Sequence, residues 1–318
     1  MAVGEFDLIR RHFTRPVRHT ALGVGDDAAL IDPTPGMQMV VATDMLVAGT
    51  HFFAEADPRS VGHKALAVNL SDLAAMGATP RQALLGIALP SADEAWVAAF
   101  AEGFAAVAQR FAVDWVGGDT TRGPLNVCVT VIGEVPRGEA LLRSGAQVGD
   151  AVWVSGVPGL AALALAELQG RCQLPAALRA DAHARLHSPE PRVALGLALR
   201  GVASACIDVS DGLLSDLGHI LDASACGAVL DAARLPWPAP ATDGVSDALI
   251  RQCLLSGGDD YELLFTAPQS RHADVAALAA ATSTPLWCIG EIVAGSGIAL
   301  LDEGQLSRLE PRGYDHFA

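Results

Sequence analysis

The chain has 318 residues, 51% of them hydrophobic and 18% charged, with a formal net charge of −15. That length gives a prior of two domains of about 100–200 residues each, with ample material for a core. Such an acidic balance excludes nucleic acid and anionic membrane surfaces as partners, because both are bound through Lys and Arg.

The basic residues are almost all arginine, and Lys64 is the only lysine. A Walker-type phosphate loop needs a lysine in Gly-x-x-x-x-Gly-Lys-Ser/Thr, and no such sequence occurs. A nucleotide handled by this chain must therefore be neutralised by arginines, backbone amides or metal ions. Cysteines 128, 172, 206, 226, 253 and 288 are scattered without a Cys-x-x-Cys pair. They read as reduced thiols in a cytoplasmic protein, not as zinc ligands or a disulfide framework. Acids and arginines in the first fifteen residues give no secretory signal, and no apolar run of about 20 residues would span a bilayer.

In chain order, residues 5–13 read as a short helix. The stretch Leu22-Gly-Val-Gly-Asp-Asp-Ala-Ala-Leu30 sets two adjacent aspartates between glycines and small apolar residues. A strand is expected to begin at once after them, so that the acids sit at its mouth. Residues 38–43 read as a buried strand ending at Asp44. Residues 60–76 read as a helix capped by Ser60, with Val61, Ala65, Val68, Leu73 and Met76 on its apolar side. Asp72 then lies near the C-terminal end of that helix, where the dipole disfavours a carboxylate; this suggests a task, although a plain surface residue also fits. A strand at 83–89, an amphipathic helix at 93–111, a short strand at 113–116 running into Gly117-Gly-Asp-Thr-Thr121 and a strand at 125–135 complete an α/β sandwich.

Gly, Arg and Ser cluster at 136–150 and place a boundary there. The expected division is an N-terminal domain of residues 1–137 and a C-terminal α+β domain of residues 138–318. The second half reads as a strand at 151–155, a helix from about 158, and a helical region broken at Pro189 and Pro191. It continues with a strand at 205–208, a helix from 212, a Pro-rich loop at 236–240, a strand at 262–266, a helix at 270–281, and strands near 286–293 and 298–301.

Aspartate beside Gly, Ser or Thr recurs at Asp26-Asp27, Thr43-Asp44, Asn69-Leu-Ser-Asp72, Gly117-Gly-Asp119, Asp208-Val-Ser-Asp211 and Gly257-Gly-Asp-Asp260. Oxygen donors of this kind suit magnesium, which takes a few carboxylates together with substrate phosphates. For Asp26-Asp27 alone, a solvated turn fits as well. If a helix starts at Ser210, Asp211 falls in its first turn, where free amides face a phosphate, although Ser210 or Asp211 as a plain helix cap fits equally. Aspartyl phosphatases need Asp-x-Asp, and prenyl synthases need Asp-Asp-x-x-Asp on helices, so neither pattern matches.

The set Gly23-Val-Gly-Asp-Asp-Ala-Ala, Thr43-Asp44-Met-Leu-Val-Ala-Gly-Thr-His51-Phe, Lys64-Ala-Leu-Ala-Val-Asn-Leu-Ser-Asp-Leu-Ala-Ala-Met-Gly-Ala78, Gly117-Gly-Asp-Thr-Thr-Arg-Gly123, Ile207-Asp-Val-Ser-Asp-Gly-Leu213, Ser256-Gly-Gly-Asp-Asp-Tyr-Glu-Leu263 and Gly313-Tyr-Asp-His-Phe317 resembles the thiamine-monophosphate kinase family. The resemblance runs from Gly4-Glu5-Phe6 to the last residues, and the motifs in this order are specific together. It implies the two-domain fold of aminoimidazole-ribonucleotide synthetase, an N-terminal α/β sandwich followed by an α+β domain that completes the nucleotide and substrate site. It also implies transfer of the ATP γ-phosphoryl group to thiamine monophosphate, giving thiamine diphosphate as the last step of that cofactor's synthesis. By the family pattern, Asp27, Thr43, Asp44, Asp72, Asp119, Asp208 and Asp211 would hold several Mg2+ ions. Gly118, Asp119, Arg143 and Ser210 would contact ATP, and His51, Asp259 and Tyr314 the thiamine phosphate. No residue is implied as a covalent nucleophile. A cytoplasmic homodimer built on the N-terminal domains is the implied assembly.

Two positions depart from the pattern. Ala42 stands where family members often carry Ser or Thr, and Asp259 where glutamate is common, which shortens the substrate contact by about one methylene. Asp26 and Tyr261 receive no role. Among sister activities, selenophosphate synthetase is disfavoured because no Cys precedes Cys128, and aminoimidazole-ribonucleotide synthetase because of the Gly-Tyr-Asp-His-Phe tail. A non-catalytic thiamine-phosphate sensor would leave the ATP-side aspartates and Arg143 without a purpose.

Overall fold

The computed structural model describes residues 5–238, 244–310 and 313–314. Gly4, the end of the Pro-rich loop at 239–240, and Asp315, His316 and Phe317 of the terminal motif lie outside the described residues. The chain divides into two units, Met1–Leu73 with Ala78–Gly138, and Ala74–Gly77 with Glu139–Ala318.

The first unit begins with α1 (Glu5–Leu8) and a π-turn over Ile9–Phe13. Its sheet comprises β1 (Met37–Val47), β2 (Thr79–Leu89), β3 (Asp114–Arg122) and β4 (Asn126–Pro136), in the order β1-β4-β2-β3. Only the β2–β3 pair is parallel, with α3 (Glu94–Arg110) between them in sequence, while α2 (Pro58–Ala75) connects β1 to β2. Alternation along the strands separates two faces. Val127, Val129 and Val131 are fully buried on one of them, which the helices cover: Leu73 of α2 reaches Gly133 of β4, and Phe104 of α3 packs on Trp115 of β3 at 4.4 Å. Met39, Val41 and Met45 lie exposed on the other face.

Three local expectations change in this unit. Asp57, not Ser60, heads α2: its carboxylate accepts the Arg59 N–H at 3.2 Å and the Ser60 hydroxyl at 3.4 Å, and Pro58 takes the first helical position, where no N–H is needed. No strand follows Asp26-Asp27. The segment is a loop closed by the isolated bridge Leu22–Leu30, because Pro33 and Pro35 deny the donors a longer ladder needs. The short strand expected at 113–116 is longer than expected: β3 continues through Gly117-Gly-Asp-Thr-Thr and pairs with β2 as far as Arg122.

The second unit holds a seven-stranded sheet of β5 (Asp150–Ser155), β6 (Ala205–Val209), β7 (Gly227–Asp231), β8 (Glu262–Pro268), β9 (Leu286–Val293), β10 (Gly297–Asp302) and β11 (Gln305–Leu309). Their order is β11-β10-β7-β9-β5-β8-β6. The helices are α4 (Leu160–Leu168), α5 (Ala176–His187), α6 (Val193–Leu199), α7 (Leu213–Ser224), α8 (Asp247–Ser256) and α9 (His272–Ala281). One core joins the sheet to α7 through Ile207, Leu217, Ile220, Leu264 and Ile292, and a second joins α4, α5 and α8 through Leu163, Leu178 and Ile250. Sequence reading missed β7, β11 and α8. β7 is five residues long and follows α7 after a two-residue turn, and β11 is a mostly exposed edge strand with no apolar alternation.

Glu262, the first residue of β8, is buried in a polar knot. Its carboxylate takes the Arg185 guanidinium at 3.0 Å and Arg192 Nε at 2.7 Å, and accepts the Ser155 hydroxyl. A Cβ at Gly156 would strike the Glu262 carboxylate, so only glycine fits there. Removing one partner of a buried pair leaves the other charge uncompensated. Glu262→Ala is therefore expected to lower stability by about 3–5 kcal/mol in urea unfolding, and a loss below about 1 kcal/mol would contradict that account of the knot.

Candidate active site

In the first unit, the loop carrying Asp26 and Asp27 is tied down beyond both of its ends by buried carboxylates. Asp114, at the start of β3, accepts the backbone N–H groups of Arg18 at 2.7 Å and His19 at 2.5 Å and the Thr20 hydroxyl at 2.9 Å. Glu134, near the end of β4, accepts the Thr34 N–H at 2.9 Å and hydroxyl at 2.8 Å, and pairs with Arg81 at 2.9 Å. Burial pushes the Glu134 carboxyl up, but the Thr34 and Arg81 hydrogen bonds outweigh it and hold the group below the usual carboxylate range. Between these anchors Leu22 and Leu30 exchange backbone hydrogen bonds at 2.9 and 3.3 Å, and the exposed Asp26 accepts the Asp27 N–H at 2.9 Å. The pair is presented to solvent on a fixed base.

Asp44 lies on the helix-facing side of β1, and its N–H donates to the Asn69 side-chain carbonyl at 2.9 Å. The Asn69 amide in turn donates to Ala65 O at 2.9 Å, which locks this fully buried residue of α2. Thr43 alternates to the opposite, exposed face, where its hydroxyl donates to Val129 O at 2.9 Å and meets the Thr130 hydroxyl at 2.8 Å. Ala42 shares the Asp44 side of the strand. Asp72 sits half-buried in the last turn of α2, as the helix pattern anticipates.

His51 closes a tight turn after β1, in which its Nδ1 accepts the Val47 N–H at 3.0 Å. A neutral imidazole held this way carries its proton on Nε2, so that edge of the ring is a donor.

Gly118 and Asp119 lie in β3 just past a bulge, where the register shifts between Ala83 and Leu84 of the neighbouring β2. Gly118 has φ 147°, and a Cβ there would lie 1.8 Å from Leu85 O, so no other residue fits. Asp44, Val129, Leu85 and Gly118 form one row across the sheet. Asp44 and Gly118 thus sit three strand spacings apart, about 14 Å.

In the second unit the structure brings Asp208, Ser210, Asp211, Asp259 and Tyr314 together. Asp208 is the buried penultimate residue of β6, and Ser210-Asp211-Gly212 follow Val209. The Asp259 N–H donates to Ser210 O at 2.8 Å, the Tyr261 N–H to Val209 O at 2.8 Å, and the Tyr314 N–H to Asp211 O at 3.0 Å. This approach is close enough that a Cβ at Gly258 would lie 2.4 Å from Ser210 O, and one at Gly313 would lie 2.7 Å from Asp211 O. Asp259 and Tyr261 both take positive φ, 75° and 53°, conformations that cost non-glycine residues and cluster at functional sites. Arg143 is exposed on a segment fixed by Leu142 O, which accepts the Cys206 N–H at 2.8 Å, and by Ser224, whose hydroxyl accepts the Gly145 and Ala146 N–H groups at 3.2 Å each.

The helix expected from residue 212 begins at Leu213. The alternative start at Ser210 falls away, and neither Ser210 nor Asp211 caps the helix; Asp216 reaches back from its first turn instead. One oxygen of Asp216 accepts the N–H groups of Ser210, Asp211 and Gly212, each at 3.1 Å. These amides are therefore committed to a carboxylate and do not stand open for a phosphate. Burial first, then the Asp208 and Asp211 charges, push the Asp216 carboxyl up to about 7 against the pull of those N–H groups. Asp260 plays a parallel part: its carboxylate accepts the Gly159 N–H at 2.6 Å at the head of α4, and burial pushes it well up.

Sequence reading missed the organising residues Asn69, Asp114, Glu134, Asp216 and Asp260. For Asn69, Asp114 and Glu134 the signal is a polar residue inside an apolar run, as in Val113-Asp-Trp-Val116 and Ile132-Gly-Glu-Val135, whereas Asp216 and Asp260 stand beside other polar residues and give no such signal.

Among the described residues no group of three or more His, Cys, Asp or Glu side chains converges as a ready metal site. The donors are nonetheless hard carboxylate oxygens, and the Asp208 and Asp211 charges add to burial, the larger cause, in raising Asp216. One or two carboxylates per ion, with phosphate and water oxygens completing the octahedron, is the usual magnesium arrangement, so the residues fit that ion.

Two family models, described as AIR synthase related protein, N-terminal domain and C-terminal domain, match residues 25–135 and 147–303, which sets the class. The chain is 44% identical to the thiamine-monophosphate kinase of Escherichia coli strain K12 over 324 residues, covering 100% of this chain and 99% of that protein. The crystal structure of thiamine-monophosphate kinase from Stenotrophomonas maltophilia K279a superposes with a TM-score of 0.86 at 45% identity, covering 96% of this chain and 98% of that one. A structure of AaThiL complexed with AMPPCP and TMP superposes with a TM-score of 0.76 at 28% identity, covering 99% and 97%. The chain belongs to the thiamine-monophosphate kinase family and is a kinase.

Proposed function

We propose that this protein transfers the γ-phosphoryl group of ATP to the phosphate of thiamine monophosphate, giving thiamine diphosphate and ADP by direct in-line displacement assisted by several Mg2+ ions. The observation that carries this reading is the full-length likeness to thiamine-monophosphate kinases, together with the relative solved with AMPPCP and TMP. An oxygen of the acceptor phosphate forms the new bond to the γ-phosphorus while the bond to the β,γ-bridging oxygen breaks and ADP leaves. The acceptor is an anion competent as a nucleophile at neutral pH, so no strong general base is required, only alignment and charge neutralisation.

Asp27, Asp44, Asp72, Asp119, Asp208 and Asp211 are the proposed holders of Mg2+, with Thr43 assigned to the same set by family pattern. The position of its hydroxyl on the far face of β1 supports a lesser share for that side chain. Bound magnesium would screen the repulsion between the two polyanionic reactants. Gly118, Asp119, Arg143 and Ser210 are assigned to ATP, the glycine because its backbone lies bare at a bulge. His51 offers its Nε2–H to the acceptor phosphate. Asp259 and Tyr314 suit the cationic thiazolium, one by charge and the other by an aromatic face. The six free cysteines support a reducing, cytoplasmic setting, and among the described residues no helix is long and apolar enough to cross a membrane.

Incubation with ATP, Mg2+ and thiamine monophosphate should yield thiamine diphosphate and ADP one to one by chromatography. Chelation should abolish this, and γ-labelled ATP without acceptor should leave no label on the protein. Asp27→Asn or Asp72→Asn should cut turnover about a hundredfold or more with folding intact, as expected when several kcal/mol of charge stabilisation is lost. Product formation in metal-free buffer, or a labelled enzyme, would contradict the mechanism.

A homodimer is part of the same proposal. Val41 and Met45, 63% and 56% exposed, stand beside Met39 on the uncovered face of the first unit's sheet, a patch of the kind that marks interfaces. Light scattering should give twice the 32.8 kDa chain mass, and a monomer at micromolar concentration would refute it.

A further inference from the structure

The chain's one lysine is spent in its interior. Lys64 is only 3% exposed, on α2 among the buried Val61, Ala65 and Val68. Taking an ammonium out of water costs several kcal/mol, a cost that a leucine or methionine of similar volume would avoid. Its Nζ donates to the backbone carbonyl of His51 at 3.2 Å. Inside its own turn, His51 donates its N–H to Val47 O at 2.9 Å and accepts the Val47 N–H on Nδ1 at 3.0 Å. The turn itself depends on Gly49 at φ 84°. Lys64 thus joins the turn to α2.

That helix is a rigid platform. A Cβ at Gly62 would lie 2.0 Å from Phe100 O, and one at Gly103 of α3 would lie 1.9 Å from Arg59 O, so the two helices pack backbone to backbone one half-turn from Lys64. An ammonium on such a platform fixes the height and tilt of the His51 peptide, and with it the direction of the Nε2–H.

We propose that Lys64 is a positioning residue for the acceptor phosphate: it anchors the Val47–His51 turn to α2 so that the His51 Nε2–H points where that phosphate binds. This rests on the reading of His51 as a phosphate ligand given above. Lys64 acts through the His51 carbonyl.

The test is steady-state kinetics on Lys64→Met, His51→Asn and the double variant, each checked for folding by thermal unfolding. Lys64→Met should raise KM for thiamine monophosphate about tenfold, the lower range for loss of a residue that orients a ligand, with KM for ATP and kcat changed less than about threefold. The double variant should be no worse than His51→Asn alone, since both changes remove one interaction. Should Lys64→Met not fold, Lys64→Gln, which is too short to reach the His51 carbonyl, carries the same comparison. Unchanged KM in the Lys64 variant while His51→Asn raises it would overturn the positioning role alone, as would effects that multiply in the double variant or an equal rise in KM for ATP. An unchanged KM in His51→Asn would overturn the reading of His51 and the positioning role with it.

Discussion

Everything in this molecule bends around one electrostatic problem. Two reactants that each carry phosphate must meet on a chain of net charge −15 with one lysine. Two unit charges 4 Å apart repel by about 4 kcal/mol at the effective dielectric of a protein surface, and several such pairs arise between ATP and a phosphate acceptor. Without a Walker lysine, the proposed mechanism gives neutralisation to oxygen-bound cations and a few arginines. The fold's work is then to hold carboxylates in place against their own repulsion.

It does so with more carboxylates. In the first unit, Asp114 and Glu134 are buried and spend their oxygens on the segments flanking the Asp26-Asp27 loop. In the second unit, Asp216 gathers the amides of Ser210, Asp211 and Gly212, and Asp260 takes the amide of Gly159 at the head of α4. A carboxylate with two oxygens and several lone pairs can order a loop by accepting backbone N–H groups that have no ladder partner. Aspartate therefore has two jobs here. Those at 27, 44, 72, 119, 211 and 259, exposed or half-buried, and the buried Asp208 are proposed to face the chemistry, while the buried Asp114, Asp216 and Asp260 order the backbone near them. The same division explains Asn69 and Lys64, lone polar groups on an apolar helix that hold Asp44 and His51.

Much of this was legible before any coordinates. Long periodic elements stood out: α3, α9, β2 and β4 fall within a few residues of their expected bounds, because 17 residues of amphipathic pattern or 11 of apolar alternation leave few alternatives. Motif positions were legible for the same reason that they resemble a family. What failed was local and depended on distant partners. A strand after Asp27 was the natural reading of Ala-Ala-Leu-Ile, but strand pairing is a tertiary event and no neighbour is offered. At the head of α7 a Ser or Asp cap and an anion site both fit the sequence, whereas in the structure a residue one turn later reaches back. The roles of Asp114 and Asn69 required knowing which backbone amides lie nearby, and spacing does not carry that information.

The proposed neutralisation of the nucleotide rests mainly on cations held by aspartates, with Arg143 taking the lesser share. It is tested most directly by calorimetric binding of a nonhydrolysable ATP analogue to the intact protein, once with magnesium and once with a chelator. Since each lost phosphate contact of this kind is worth several kcal/mol, affinity should fall by about a hundredfold or more without magnesium. Equal affinity in the two buffers would contradict the account and return the burden to arginine and backbone amides.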